Sequence, residues 1–210
     1  VLFSCFQIWT AAFQPFSSQV VRAIHVGFVI WMVLILYPPF KEGRPTLARI
    51  GRVAGWALGL LGFACSFYYW FFEADLTARA GEIVGADWFI GIVMLALVFE
   101  ATRRAMGWGL PVICGIFLLY GLFGQHLPGV LAHRSYGADQ ILSTLSFGTE
   151  GIFGTPTYVS STYIYLFILF GAFLEQAGMI DLFTDFAMGT VGHTRGGPAK
   201  VAVISSALMG

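Results

Sequence analysis

TEGIFGTPTYVSSTYIYLFILFGAFLEQAGM, residues 149–179, decides the fold. Residues 157–174 carry no charge. A helix of that length crosses roughly 30 Å of hydrocarbon. Yet the run is punctuated at its start by Gly151, Gly154 and Pro156, then by Ser160, Ser161 and Thr162. A plain anchor has no use for such residues. Irregular backbone at membrane depth is tolerated only where protein buries it or where it lines a wet cavity. Broken helices of this kind hold substrate and ions in secondary transporters.

The rest of the chain has the same character. Hydrophobic residues make up 58% and charged residues 10% of the 210, and the mean hydropathy is +0.80. Soluble domains carry roughly 25% charged residues, so this surface must face lipid. The formal net charge is zero, which gives no ground for a nucleic-acid partner. Cys5, Cys65 and Cys114 each sit inside an apolar run without metal-ligand spacing, and read as packing residues. The chain starts with Val inside one apolar stretch and stops at Gly210 inside another, so it reads as a piece of a longer protein.

These features predict an all-α polytopic membrane protein. It would have six to seven membrane segments in a helical bundle, with short amphipathic helices at the interface. Residues 1–13 read as the tail of a membrane helix or, alternatively, as an interfacial helix, with a turn at Gln14-Pro15-Phe16-Ser17-Ser18. Further helices are expected over residues 20–37, 53–72, 88–102, 106–125 and 157–174, with the start of another from 201. Residues 138–147 and 181–188 are amphipathic and too short to span. Gly51, Gly55 and Gly59 recur every four residues and give one helix face a close approach to a neighbour. Lys41, Arg44, Arg49 and Arg52 make one loop basic, residues 73–87 are acidic, and Arg103-Arg104 are basic again. That alternation puts the basic loops in the cytoplasm and the acidic one outside.

Chemistry-bearing groups are sparse. No Walker loop, GxSxG or HExxH is present. Glu100 lies three and four residues before Arg103 and Arg104, the spacing of an intrahelical ion pair at the interface. His25, His126, His133 and His193 read as solvated side chains at helix ends or in loops. Glu150 stands at the membrane edge, where a carboxylate is either a helix-terminus group or a functional one. Thr155, Ser160 and Ser161, around Gly154 and Pro156, offer oxygen atoms of the kind Na⁺ prefers. They could equally bond back to their own helix. Gly196-Gly197-Pro198 forms a tight turn and a helix start, and Ser205 and Ser206 follow about two turns later. This outlines either a re-entrant hairpin arm or an ordinary spanning helix.

Several stretches resemble one family. They are VVRAIHVGF (20–28), ILYPPF (35–40), LPGVLAH (127–133), TEGIFGTP (149–156), LFILFGAFLEQAGM (166–179) and GGPAKVAVISSALMG (196–210). Together they look like the fused membrane subunit of tripartite ATP-independent periplasmic (TRAP) transporters, in which a small DctQ-like and a large DctM-like subunit form one polypeptide. The resemblance implies a small-subunit-like four-helix scaffold over residues 1–108 and a connecting helix and outer loop over 109–137. Residues 138–210 would then be the first part of an elevator-type transport domain. It further implies Na⁺-coupled uptake of small organic acids (carboxylates, including dicarboxylates) across a bacterial or archaeal cytoplasmic membrane. Na⁺ would be the coupling ion, with no other cofactor. An extracytoplasmic solute-binding protein, of the TAXI type by the fused architecture, would deliver the substrate. Ser205, Ser206, Gly196 and Gly197 would fall on the first hairpin arm, with most ligands beyond residue 210. A non-transporting scaffold subunit is the alternative. A membrane-embedded enzyme would need acid, base or nucleophile groups clustered inside the spans, whereas the charges sit at segment ends.

Overall fold

The computed structural model of the chain describes residues 1–39, 45–79 and 81–209. Lys41, Glu42 and Arg44 of the basic loop, and the terminal Gly210, lie outside the described residues. Among the described residues the regular structure is entirely helical.

Helix α1 (Leu2–Phe13) closes on Gln14, whose φ of 45° places it in the left-handed region just before Pro15. The Ser17 hydroxyl then caps α2 (Ser18–Leu36), accepting from the Val20 N–H at 3.3 Å. Helix α3 (Pro45–Phe71) starts earlier than the uncharged run predicts. Proline suits a first helical position, so Arg49 and Arg52 stand on the opening turns of α3 instead of in a loop. The acidic stretch also contains a short helix, α4 (Glu73–Ala78), with Glu73 and Asp75 in its first turn, where carboxylates favour the helix dipole. Helix α5 (Gly85–Met106) has Asp87 in its first turn and Arg103 and Arg104 in its last.

Helix α6 (Gly109–Phe123) ends in two 3₁₀ turns, Gly124–His126 and Gly129–Leu131, and α7 (Ala138–Ser146) follows. The punctuated run of residues 149–179 resolves into two parts. Residues 147–154 are a tight series of turns. From Thr155 the chain is helical through Gln176: α8 (Thr155–Val159), one π turn (Ser160–Ile164) and α9 (Tyr165–Gln176). The helix is thus loosened by a π turn that begins at the serine pair, without being interrupted, a feature frequent at functional positions. Helices α10 (Met179–Val191) and α11 (Gly197–Met209) complete the chain.

Among the described residues, five helices are long and apolar enough to cross a membrane: Ser18–Leu36, Arg49–Phe71, Gly85–Met106, Gly109–His126 and Thr155–Gln176. Leu2–Phe13 and Gly197–Leu208 are shorter apolar helices. The chain is a polytopic all-α membrane protein, as its composition requires.

The chain divides into two compact units, Val1–Ser161 and Thr162–Gly210. The first is built on α2, α3 and α5, which pack on one another. Its core contains Ala23, Ile30 and Leu34 of α2, Cys65 and Tyr69 of α3, and Met94, Leu97 and Ala101 of α5. Phe153, from the turns after α7, completes it. The α2–α3 contact is close because glycine permits it: a Cβ on Gly55 would lie 2.5 Å from the Leu34 carbonyl oxygen. Gly51, Gly55 and Gly59 are all buried, as their four-residue spacing implies. In the second unit α10 packs against both α9 and α11, with Ala187 and Val201 buried. Gly178 (φ 75°) leads into α10 and Gly196 (φ 73°) into α11.

Candidate functional site

The most heavily constructed feature of the first unit is the set of turns between α7 and α8. The chain reverses there beside transmembrane helices, and each carbonyl left outside a helix needs a donor. Backbone groups supply some of these bonds. The Gly148 N–H donates to the Ser143 oxygen at 2.8 Å, and the Ile152 N–H to the Leu145 oxygen at 2.8 Å. Gly151 allows the second approach, since a Cβ on it would stand 2.2 Å from the Leu145 oxygen. Side chains from α2 and α3 supply others, and Thr157 of α8 donates its hydroxyl to the Ile152 oxygen. Tyr69 donates its hydroxyl to the Ser146 oxygen at 2.8 Å, Gln19 its amide to the Phe147 oxygen at 2.9 Å, and Arg22 its guanidinium to the Phe153 oxygen at 2.6 Å. Ser146 in turn donates to the Gly91 oxygen of α5 at 3.1 Å. Phe153 itself is fully buried, with its ring edge-on to Tyr69 at 4.8 Å.

Arg22 does several things at once. Besides the Phe153 carbonyl it donates to Ser18 Oγ at 2.9 and 3.2 Å, and its guanidinium lies 4.8 Å from the Tyr158 ring centre. Hydrogen bonds from charged donors contribute about 1.5–3 kcal/mol. Arg22→Ala should therefore cost about 2 kcal/mol in the unfolding free energy of the detergent-solubilised protein. Arg22→Lys should recover only part of this, because an ammonium lacks the planar fork. A loss of under about 0.5 kcal/mol, the range of ordinary surface substitutions, would contradict this role.

One helical turn further along α2, His25 is buried at 4% exposure. This corrects the reading of His25 as a solvated residue: it lies within the span, not at its end. Its Nδ1 meets the Gln7 amide nitrogen of α1. An accepting Nδ1 leaves the Nε2–H to donate to Ser160 Oγ, 3.2 Å away. A chain of polar side chains thus runs from α1 through α2 to the first residue of the π turn. His25 and Ser160 also face a cavity of about 350 Å³, with Pro156, Thr157 and aliphatic residues of α2 and α5 around it.

The remaining charges in the spans sit near helix ends. Asp87, 1% exposed, accepts from Arg79 at 2.8 Å and from the Val84 N–H at 3.1 Å, and Tyr68 also donates to it. Glu100 pairs with Arg103 at 2.8 Å and Arg104 at 2.7 Å, the pair its spacing predicts. Arg104 does not reach for water, however. Its side chain is 4% exposed and donates to the Leu34 carbonyl of α2 at 3.2 Å, fastening α5 to α2.

The residues singled out from the sequence divide among separate places. Glu150 is exposed and lines a cleft of about 460 Å³ with Glu73, Gln19 and Thr149. Thr155 and Pro156 are exposed in the first turn of α8. Ser160 belongs to the His25 chain, whereas Ser161, buried, donates back to the Tyr158 oxygen at 3.0 Å. In the second unit Ser205 is buried and lies 3.2 Å from Thr184 Oγ1, while Ser206 is exposed. Gly196 takes the positive-φ position and Gly197 the buried one, where a Cβ would meet the Gly192 oxygen at 2.1 Å. Among the described residues no three His, Cys, Asp or Glu side chains are grouped to hold a metal ion.

Motifs and helix-end positions alone do not point to Gln7, Gln19, Arg22, Tyr69, Asp87 or a buried His25. A signal existed for three of them. Gln19, Arg22 and His25 recur every three residues along an otherwise apolar span, which puts them on one side of the helix. Polar residues inside a span face protein, not lipid.

Comparison with known proteins gives one match. Residues 93–210, more than half of the chain, match the family described as tripartite ATP-independent periplasmic transporter, DctM component. No curated protein and no solved structure matches.

Proposed function

Because the chain belongs to the DctM-component family of tripartite ATP-independent periplasmic transporters, we propose that it takes part in Na⁺-coupled uptake of small organic acids across a cytoplasmic membrane. The family makes it a multi-pass permease component that works with a periplasmic solute-binding protein. The match over residues 93–210 carries this reading.

In it, residues 1–108 act as a fused small-subunit-like scaffold, residues 109–137 connect, and residues 138–210 open the transport domain. The side chains of α2 and α3 that hold the turns at 146–154 support this division of labour. They are what a scaffold needs to fix the first spanning unit of a transport domain. Substrate and Na⁺ would be handled by the hydroxyl and glycine positions of the second unit, Ser205, Ser206, Gly196 and Gly197. Thr155, Pro156, Ser160, Ser161 and Glu150 of the first unit belong to the same proposal as further substrate- or ion-binding candidates. The TAXI type of binding protein and a carboxylate substrate belong to the same proposal.

The test is ion replacement. With the full-length transporter and its binding protein in liposomes, an inward Na⁺ gradient should drive accumulation of the acid, and choline in place of Na⁺ should abolish it. Unchanged uptake in choline would refute Na⁺ coupling while leaving the permease assignment intact.

A further inference from the structure

The first unit carries a groove that neither the turns at 146–154 nor the His25 chain uses. It opens between α5, α6 and α7 and encloses about 560 Å³. Its lining is graded. Tyr136, Gln140 and Thr144 stand at one end, and Phe99, Cys114 and Leu118 lead away from them into wholly apolar walls. At about 1.5 Å of rise per residue, the stretch of α6 from Gly121 to Cys114 gives the groove roughly 10 Å of length along the helix. Gly121 helps to keep it open, since a Cβ there would already touch Ile141 Cδ1 at 3.5 Å. Beside the polar end, the exposed Arg134 guanidinium lies 4.8 Å from the centre of the Tyr136 ring, and among the described residues it has no carboxylate partner. The outward face of α6 is bare, with Val112, Ile113 and Ile116 all at least half exposed.

We propose that this groove is a binding site for a bilayer phospholipid, with one acyl chain lying between α5 and α6 and the phosphate at Arg134. Three observations select this occupant. The apolar end excludes an organic acid, whose carboxylate would be left without a partner there. The polar end carries a tyrosine, a residue that favours headgroup depth. The unpaired cation beside it matches a phosphodiester. The proposal rests on the membrane assignment and not on Na⁺ coupling.

The full-length protein in nanodiscs of phosphatidylglycerol, with a diazirine on the acyl chain, provides the test. After illumination, adducts should concentrate on peptides from α6 and α7, above those on the equally exposed face of α3. Gly121→Trp should remove the α6 and α7 adducts and leave those on α3. Arg134→Ala, a surface change that leaves the fold alone, should lower the groove adducts about fivefold, the effect of one basic residue at an anionic lipid surface. Even labelling of all exposed faces would leave boundary lipid only and overturn the proposal. Absence of adducts on α6 and α7 would mean that polypeptide fills the groove, and would overturn it too. Groove labelling unaffected by Arg134→Ala would refute the phosphate assignment and with it the site as proposed.

Discussion

Phe153→Ala should destabilise the protein by about 3–5 kcal/mol, the cost of emptying a fully buried aromatic position. The ring is the one core member contributed by the turns after α7, and it packs among residues of α2, α3 and α5. Removing it leaves a cavity that three helices cannot close together, because α2 and α3 are already in contact through glycine. The backbone of the same residue accepts from Arg22, so loosening the ring also releases a carbonyl beside lipid. Transport should fall in parallel, since the turns at 146–154 position the following span. Phe153→Leu, which keeps most of the volume, should cost less than half as much. Equilibrium unfolding in mixed micelles measures both. A loss below about 1 kcal/mol for the alanine variant, no more than an average substitution, would mean that the turns are not held by this residue.

Gly27→Val is the second large effect. A Cβ at Gly27 would come within 2.3 Å of Ser66 Oγ and 2.9 Å of Ser66 Cβ, with the Phe63 Cα 3.4 Å away. Neither helix can rotate freely to make room, because Gly55 and Gly59 contact α2 at the Leu34 carbonyl and at Trp31 on the same face. Overpacking a tight contact costs about 1–3 kcal/mol, and valine adds two methyl groups beyond the clashing Cβ. The cause can be isolated. Gly27→Ala alone should destabilise, and Ser66→Gly added to it should restore most of the loss by deleting both clashing atoms. Ser66 donates only within its own helix, to the Gly62 oxygen at 3.0 Å, so its removal leaves no partner stranded across the contact. If the double variant is no more stable than Gly27→Ala, the α2–α3 separation is not set here.

Much of this fold was legible in the sequence because apolar length dictates it. Each uncharged run long enough to cross a bilayer became a helix, and Pro15, Pro38 and Pro45 mark boundaries through their missing N–H. The Gly51, Gly55 and Gly59 row and the Glu100 pair with Arg103 and Arg104 followed from helical spacing alone. What spacing could not give was the partner of a polar residue in another helix. His25 bonds to Gln7, 18 residues away, and to Ser160, 135 residues away. Arg22 likewise meets a carbonyl 131 residues on. Ser160 and Ser161 are adjacent and chemically identical, yet one faces His25 and the other bonds back to its own helix. The π turn that separates their roles is a property of backbone packing that composition does not encode.

The permease assignment itself is tested most directly by solute accumulation in liposomes that contain no ATP. The full-length transporter is reconstituted with an inward ion gradient, and the binding protein, loaded with labelled organic acid, is added outside. Uptake is expected with the loaded binding protein and none when the acid is supplied alone. Equal uptake without the binding protein, or uptake that appears only once ATP is enclosed, would contradict the assignment.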